Sequence, residues 1–279
     1  MIRSFVEGDI PAAMRLKEAA DWNQVEQDWL TVIGLAPQGC WVYEEDGRVV
    51  GTVTAISYGR KLAWIGMMLV DPQFRRRGIG RSLMEHAVAY LDGAGVETVK
   101  LDATDMGYPL YRALGFQDEC RVERWSGIAG PVSLESQSWD IRPVVEADEV
   151  AALDQEAFGV SRTEVLRSLL PGCRQECFRT PDGYVMARPG SNAHFLGPCV
   201  ARDREQARML IEMILSKHSG ELMFWDVLPG NELAVQLAEG FGFTCARKLR
   251  RIWRPGVGEG SKIAANLAMQ FAVAGFEFG

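Results

Sequence analysis

Apolar positions in the first half of the chain change from helical spacing to strand-like runs. Spacings of three and four residues predict amphipathic helices near residues 10–20 and 25–33. Two apolar runs on either side of residues 45–47, Glu-Asp-Gly, predict a β-hairpin. The run from Leu62 to Val70 is continuously apolar, which is typical of a strand buried on both faces. This mixture predicts an α/β domain.

The rest of the chain completes this order of elements and then repeats it. A helix from about residue 81 to 91, a strand at 99–103 and a short helix before Gly115 complete the first half. Residues 126–138 are rich in Gly, Ser and Pro, as linkers often are. Beyond them, the apolar run at 195–201 echoes the buried strand of the first half. The sequence therefore predicts two similarly ordered halves that share little identity.

Composition and charge narrow the class of protein. The 279 residues are 47% apolar and 24% charged, which is typical of a globular chain that buries a core. The net charge of −7 argues against a partner such as nucleic acid, which is bound by neutralising phosphates. The sequence has neither a long uncharged apolar stretch nor a signal-peptide core, so we expect no membrane partner and no export.

Cysteine and histidine form no recognisable disulfide or metal pattern. The six cysteines are scattered, and Cys173 and Cys177 stand four apart rather than in a CxxC motif. The three histidines lie far apart in sequence and form no HExxH motif. We therefore expect reduced thiols, a cytoplasmic protein and no metal cofactor.

The strongest candidate for chemistry is the loop between the buried strand and the helix after it. Gly78 and Gly80 allow the backbone to approach a ligand closely, and the amides of a helix N-terminus point outward as anion donors. Arginines there add charge and forked hydrogen bonds that suit phosphates. These arginines are Arg75, Arg76, Arg77 and Arg81. Taken alone, the loop is equally compatible with a solvated basic turn.

Two motifs in order give this loop a context. The sequence Arg75-x-x-Gly78-x-Gly80, then a helix, then Tyr111-Arg112-Ala113-Leu114-Gly115-Phe116 resembles the GCN5-related N-acetyltransferase (GNAT) superfamily. The resemblance covers roughly residues 1–125, and in that superfamily the loop cradles the pyrophosphate of acetyl-CoA. A GxGxxG motif and a Lys-Ser/Thr after the glycines are both absent from the sequence, which excludes a dinucleotide-binding fold and a P-loop.

Shorter motifs are similar to a bacterial GNAT subgroup with a second, GNAT-like C-terminal domain. They are Trp22-Asn23-Gln24, Trp64-Ile65-Gly66-Met67, Leu101-Asp102-Ala103-Thr104, Ala157-Phe158-Gly159, Gly197-Pro198 and Ala274-Gly275-Phe276-Glu277. The resemblance implies an α/β fold of layered α+β type, with tandem GNAT-like domains that are each a mixed, mostly antiparallel twisted sheet flanked by helices. We expect a catalytic domain over residues 1–125, a linker over 126–138 and a degenerate GNAT-like domain over 139–279.

The resemblance also implies how acetyl-CoA is held as co-substrate. Backbone amides from Arg76 through Gly80 would hold the pyrophosphate, and the pantetheine arm would pair with the end of the preceding strand. An amide near Leu69 would polarise the thioester carbonyl, which is a catalytic role. The implied cofactor-binding residues are Met68, Leu69, Val70, Arg75, Arg76, Arg77, Gly78, Ile79, Gly80, Arg81 and, where the family often has Asn, Thr104.

The remaining chemical roles are less clearly marked. Tyr111 is the candidate general acid that protonates the departing CoA thiolate, although a tyrosine before Gly-Phe is also compatible with packing alone. Asp102 and Asp105 suit a general base, a helix cap or solvated carboxylates, and the sequence does not decide between these. On the acceptor side, Trp22 and Asn23 are candidates to receive a cationic amine.

The second half lacks the glycine loop. Asp203 and Glu205 stand where phosphate would bind, so we expect no acetyl-CoA there. The predicted function is transfer of the acetyl group of acetyl-CoA to the amine of a small molecule, by direct attack in a ternary complex. The alternative is a module that binds or senses CoA without catalysis. The acceptor and the oligomeric state stay open.

Overall fold

The chain folds into two compact units. The computed structural model describes residues 1–131, 140–173, 175–257 and 260–279. Within these ranges, unit 1 comprises residues 1–118, 252–263 and 278, and unit 2 comprises residues 119–251, 264–277 and 279. None of the helices described has the length and apolar character needed to cross a lipid bilayer.

The elements of unit 1 follow the order that the sequence predicts. Its strands are β1 (Ile2–Ser4), β2 (Cys40–Glu45), β3 (Arg48–Tyr58), β4 (Leu62–Val70) and β5 (Thr98–Ala103). Its helices are α1 (Ile10–Ala19), α2 (Glu26–Leu35), α3 (Ile79–Gly93) and α4 (Tyr108–Ala113). The strands lie in the order β1-β2-β3-β4-β5, antiparallel except for the parallel pair β4–β5.

Turn chemistry and helical spacing explain these elements. Asp46 and Gly47 both have positive φ values, 51° and 74°, as a two-residue hairpin turn requires. The apolar face of α3 packs against the sheet through residues at helical spacing, which are Leu83, Met84, Ala87 and Leu91. They meet inward-facing residues of β3 and β4 such as Val53 and Ile65. The predicted hairpin and the predicted buried strand are confirmed.

Unit 2 repeats the arrangement. Its strands are β6 (Gln117–Ile128), β7 (Arg142–Pro143), β8 (Cys177–Thr180), β9 (Gly183–Arg188), β10 (His194–Ala201), β11 (Leu222–Val227), β12 (Thr244–Pro255) and β13 (Gln270–Ala272). Its helices are α5 (Asp148–Phe158), α6 (Thr163–Cys173), α7 (Arg204–Lys217) and α8 (Glu232–Gly240). The order is β6-β11-β10-β9-β8-β7, with β13 paired to β10, and β10–β11 is a parallel pair. The mixed, mostly antiparallel sheet predicted for each half is confirmed.

The compact units differ from the domain boundaries expected from the sequence. β6 pairs with β11 along residues 123–128, and the chain therefore joins unit 2 at Glu119, before the expected boundary at residue 125. Of the expected linker, residues 126–128 lie in β6 and residues 132–138 lie outside the described residues.

A late segment of the chain also belongs to unit 1. Residues 252–263 are part of unit 1, and β12 contributes residues to both units. The Thr98 hydroxyl donates to the Ser261 carbonyl at 2.7 Å, and Lys100 Nζ donates to the Ile263 carbonyl at 2.8 Å. The local composition of this segment carries no signal for such a long-range return, because the pairing is decided by tertiary contacts.

Candidate active site

β4 carries a bulge near its C-terminal end. The register of β3 against β4 shifts between Thr52 and Thr54, so that one residue of β3 lies opposite both Met67 and Met68. Met67 has a φ of 48°, in the left-handed region. Its carbonyl accepts a hydrogen bond of 2.6 Å from the Thr52 hydroxyl, which holds the irregular backbone in place. A bulge of this kind bends the strand and redirects its main-chain groups.

The same end of β4 is open along its other edge. Within the described residues, β4 and β5 pair in parallel only at Ala63–Val99 and Trp64–Lys100. Among the described residues, none of β5 pairs with residues 68–70. The main chain of this segment is therefore available to an extended ligand that adds as a strand.

The loop after β4 is held by Asp71. Its carboxylate accepts a hydrogen bond from the Gln73 amide at 2.9 Å and another from the Arg48 guanidinium at 2.7 Å. Gly78, with a φ of 83°, provides the turn from which α3 begins at Ile79. The first turn of α3, which is fully described, contains no acidic residue and no side-chain cap. Its first amides are therefore left for a ligand or water.

The two loop glycines are required for different reasons. At Gly78 a Cβ would meet no heavy atom within 4 Å, so the backbone conformation is what favours glycine there. At Gly80 a Cβ would lie 2.8 Å from Met68 Cε and 3.6 Å from Val70 Cγ2. It would also lie 3.8 Å from Leu110 Cδ2, which places α4 beside the loop. Close packing thus brings the loop, the open end of β4 and α4 together.

Two of the loop arginines are held by neighbours. Arg75 Nε donates to the Val70 carbonyl at 3.2 Å. Arg77 pairs with Glu45 at 3.2 Å, and its guanidinium lies 4.8 Å from the centre of the Phe74 ring. Both side chains are exposed, so these contacts add little stability, but they keep the two charges close to the start of α3.

The other two arginines differ in their surroundings. Arg81 pairs with Glu85, one turn further along α3, at 3.4 Å. Arg76 has a φ of 64° and an exposed side chain. Among the residues that the structure describes, its guanidinium has no hydrogen-bond or ion-pair partner. Arg76 is therefore the loop cation most available to a phosphate.

Tyr111 is buried in α4, with 8% of its surface exposed. Its ring packs edge-on against Phe116, with 6.2 Å between ring centres. A Cβ at Gly107 would lie 2.7 Å from Tyr111 Cε2 and 3.0 Å from its hydroxyl oxygen, so glycine at that position makes room for the phenol. Burial raises the pKa of Tyr111 to about 12. The phenol is therefore protonated at neutral pH, as a proton donor must be.

Thr104 takes part in the turn before α4. Its hydroxyl accepts a hydrogen bond of 3.3 Å from the Gly107 amide, and its carbonyl accepts one of 2.9 Å from the Tyr108 amide. Both contacts stabilise the start of the helix that carries Tyr111. The role implied for Thr104 at the cofactor stays a prediction.

The acceptor candidates lie between α1 and α2. The Trp22 amide donates to the Lys17 carbonyl at 3.0 Å, and Asn23 is 5% exposed. Trp29, from the same stretch, is fully buried and stacks on Phe5 with 5.5 Å between ring centres. The structure thus assigns Trp29 to the core. The acceptor role of Trp22 and Asn23 stays a prediction.

The helix of unit 2 that corresponds to α3 begins differently. α7 is capped by Asp203, whose carboxylate accepts a hydrogen bond of 2.9 Å from the Gln206 amide. Glu205 follows in the first turn. Two carboxylates therefore occupy the end of the helix where a phosphate would have to bind. The second half lacks the loop in the structure as well as in the sequence.

The open edge is also missing in unit 2. β10 has a register shift between Leu196 and Cys199, at the place that corresponds to the bulge of β4. Beyond it, β13 pairs with β10, Cys199 opposite Ala272 and Val200 opposite Gln270. The chain's own strand thus fills the edge that β4 leaves open. Sequence reasoning missed both this strand and the β4 bulge, since neither has a local signature.

Sequence reasoning also missed a histidine cluster. His194 and His218, far apart in sequence, stack in unit 2 with 3.8 Å between ring centres. Glu176 lies beside both. The expectation of no metal rested on the separation of the histidines in sequence, and it stays a prediction.

Comparisons with known proteins agree with this geometry. The family described as "Acetyltransferase (GNAT) family" matches residues 9–116, and "Acetyltransferase (GNAT) domain" matches residues 150–257. The peptidyl-lysine N-acetyltransferase YiaC of Escherichia coli is 30% identical over 142 residues, which cover 45% of this chain and 93% of the relative. This chain belongs to the GNAT family, with tandem domains, and is an acyltransferase of that type.

Two longer matches extend over most of this chain. The "uncharacterized N-acetyltransferase YitH" of Bacillus subtilis is 23% identical over 224 residues, 77% of this chain and 78% of the relative. The crystal structure of a putative acetyltransferase from Pyrococcus horikoshii superposes with a TM-score of 0.86 at 23% identity, over 100% of this chain and 95% of that one. That likeness supports the fold, and the family uses acetyl-CoA as co-substrate.

Proposed function

We propose that this acyltransferase moves the acetyl group of acetyl-CoA to the amine of a small molecule, with the cofactor bound by unit 1. The observation that carries the proposal is the open edge of β4 beside the arginine-rich start of α3. A pantetheine arm added along residues 68–70 would end with its pyrophosphate at the first amides of α3. The loop arginines then neutralise the phosphates, Arg76 by direct contact.

The reaction that we propose is direct attack in a ternary complex. An amide near Leu69 polarises the thioester carbonyl and stabilises the charge that develops on its oxygen. The neutral amine forms the new C–N bond, the C–S bond breaks, and CoA departs as a thiolate. The ammonium form of the acceptor must first lose a proton, directly or through water, and the nitrogen loses a second proton to water as the amide forms.

Tyr111 is the proposed proton donor to the thiolate. A phenol with a pKa of about 12 and a thiol near 8.5 make this transfer uphill by about 5 kcal/mol. The difference narrows where the thiolate is also held away from water, because burial raises the pKa of both groups. Because its pKa is high, Tyr111 would give up its proton late, as the C–S bond breaks. It would then recover a proton from solvent.

The acceptor side is proposed at the segment that contains Trp22 and Asn23. An indole face attracts an ammonium group, and an amide side chain orients it by hydrogen bonding. The E. coli relative is named for peptidyl-lysine, which also presents a primary amine. The chemistry in common is a primary amine, and the comparison to make is between small amines and lysine peptides.

Two measurements test the proposal. Calorimetric titration with acetyl-CoA should give one site per chain, since unit 2 lacks both the open edge and the glycine loop. Initial rates measured against both substrates should give intersecting lines in double-reciprocal plots, as a ternary complex requires. Two sites per chain would contradict the assignment to unit 1, parallel lines would contradict direct attack, and turnover with lysine peptides alone would contradict the small-molecule acceptor.

A further inference from the structure

Three ionisable side chains of unit 2 converge on one point. Glu176 lies just before β8, His194 is the first residue of β10, and His218 follows the last residue of α7. Each offers one donor atom, and the three donor atoms lie within 4.8 Å of one another. His194 Nε2 is 2.6 Å from Glu176 Oε2, and His218 Nε2 is 3.3 Å from Glu176 Oε1. The fold thus gathers two imidazoles and a carboxylate that the sequence keeps apart.

The cluster is enclosed but accessible from one side. The side chains of His194 and His218 are 11% and 8% exposed, whereas that of Glu176 is 23% exposed. The Glu176 backbone is fixed, since its carbonyl accepts a hydrogen bond of 2.9 Å from the Ala187 amide. An ion can therefore reach donors that are already held in position.

His218 makes a hydrogen bond to Glu221 through one of its ring nitrogens. Its Nδ1 lies 2.9 Å from Glu221 Oε2, and a carboxylate at that distance accepts the ring proton. In the neutral imidazole, Nε2 then carries a lone pair, and this nitrogen lies 3.3 Å from Glu176 Oε1. This buried Nε2 has no hydrogen-bond partner among the described residues. A buried imidazole lone pair beside a carboxylate oxygen is suited to coordinating a metal ion.

We propose that unit 2 binds a first-row divalent metal ion, of which Zn²⁺ is the representative, through His194 Nε2, His218 Nε2 and a Glu176 oxygen. Zinc sites with two histidines and one carboxylate leave the fourth position to water. With Zn–N bonds of 2.0–2.1 Å, tetrahedral donors stand about 3.3 Å apart, which is the His218–Glu176 distance found here. His194 Nε2, now 2.6 Å from Glu176 Oε2, would have to move away from that oxygen when the ion binds. Glu221 accepts the Nδ1 proton of His218 and so fixes its tautomer, as outer carboxylates do in metal sites.

The site would connect elements that are distant in sequence. Its three ligands join the starts of β8 and β10 to the end of α7, and Glu221 extends the network to the start of β11. Metal binding of this kind stabilises the folded state over the unfolded one. The ion would then be a structural ion that stabilises unit 2. It would have no part in the acetyl-transfer chemistry of unit 1.

The test uses full-length protein without a histidine tag, stripped with EDTA and dialysed. We expect one Zn²⁺ per chain by calorimetry, a higher melting temperature with Zn²⁺, and visible ligand-field bands when Co²⁺ is used instead. His194→Gln and His218→Gln should each weaken binding at least about tenfold, and Glu221→Gln about tenfold. His86→Gln is the matched control, since it removes the third histidine, which is exposed and lies in unit 1.

Several results would overturn the proposal. Binding that persists in a His194→Gln/His218→Gln double variant, or that is lost in Cys245→Ser, would mark an exposed thiol and not this cluster. A melting temperature that does not change on addition of Zn²⁺, together with no ligand-field bands from Co²⁺, would mean that no metal ion joins these three side chains. Circular dichroism is the check that each variant is folded, and the exposed Glu221 offers the substitution least disruptive to the core.

Discussion

The strand-to-helix junctions β4–α3 and β10–α7 share one design and differ in what they leave open. Both have a register shift on the strand, and both strands pair in parallel with the next one. In unit 1 the edge beyond the bulge is open and the helix begins at a left-handed glycine. In unit 2 β13 covers the edge, and Asp203 caps the helix. A few residues thus separate the junction that we propose to bind the cofactor from one that is closed.

The largest expected effect comes from giving the start of α3 in unit 1 the negative charge found at the start of α7 in unit 2. Gly78→Glu places a carboxylate before α3 and forces a side chain onto a backbone with a φ of 83°. The strained backbone costs about 1–2 kcal/mol. Repulsion between the new carboxylate and the phosphates of the cofactor costs several kcal/mol more. We expect acetyl-CoA affinity to fall about a thousandfold or more, measured by calorimetry.

Gly59→Glu is the matched control for that variant. Gly59 also has a positive φ, 60°, and a Cβ there would meet no heavy atom within 4 Å, but it lies at the opposite end of β4. It adds the same charge and the same strain away from the loop. Affinity that falls equally in both variants would show that global damage, and not the loop, is responsible.

The second test concerns the helix after each junction. Counting back from the Gly-Phe pair that follows α4 and α8, Ala238 of unit 2 stands where unit 1 has Tyr111. Tyr111→Phe should lower kcat about a hundredfold, as loss of a general acid does, while the Kd for acetyl-CoA stays within about twofold. Loss of affinity together with kcat would assign Tyr111 to packing instead.

The pH dependence of kcat gives a second test of the role of Tyr111. With a pKa of about 12, its phenol stays protonated up to about pH 11, so it contributes no alkaline fall in kcat below that. The rise in rate on the acid side belongs to deprotonation of the acceptor amine. A fall in kcat between pH 8 and 10 that disappears in Tyr111→Phe would show that the phenol titrates much lower than its burial implies.

Local patterns of the sequence predicted more of unit 1 than of unit 2. Each of three elements, the buried strand, the hairpin and the glycine loop, has its signal within about a dozen consecutive residues. Spacing and turn chemistry are therefore sufficient to place them. The bulge at Met67 has no such signature, because a run of apolar residues reads the same with or without an extra residue. β13 and the His194–His218 contact depend on chain segments more than 20 residues apart, and local pattern carries no information on them.

A third test asks whether β13 alone closes the junction of unit 2. Asn231 donates from its amide nitrogen to the Gln270 carbonyl at 3.1 Å and to the Ala268 carbonyl at 3.2 Å, and so anchors this strand. Asn231→Ala should lower the free energy of unfolding by about 2 kcal/mol, because buried acceptors lose their donor. Chemical denaturation followed by fluorescence measures this.

The acetyl-CoA stoichiometry of the same variant completes the comparison. It should stay at one per chain, since α7 keeps Asp203 and gains no glycine loop even if β13 loosens. A second site in Asn231→Ala would show that the covered edge, and not the capped helix, is what prevents cofactor binding in unit 2.

The smallest expected change in acetyl-CoA affinity distinguishes the loop arginines by whether they already have an ion-pair partner. Arg76→Ala removes the guanidinium that has no partner within the described ranges, and we expect acetyl-CoA to bind about tenfold more weakly. Arg81→Ala removes one that already shares its charge with Glu85, and the loss should be about threefold or less. Titrations at low and high salt distinguish the two variants, because the loss of a direct phosphate contact makes acetyl-CoA binding less dependent on salt. Equal losses would mean that the loop acts through its summed charge, and that the backbone amides of α3 carry the specific recognition.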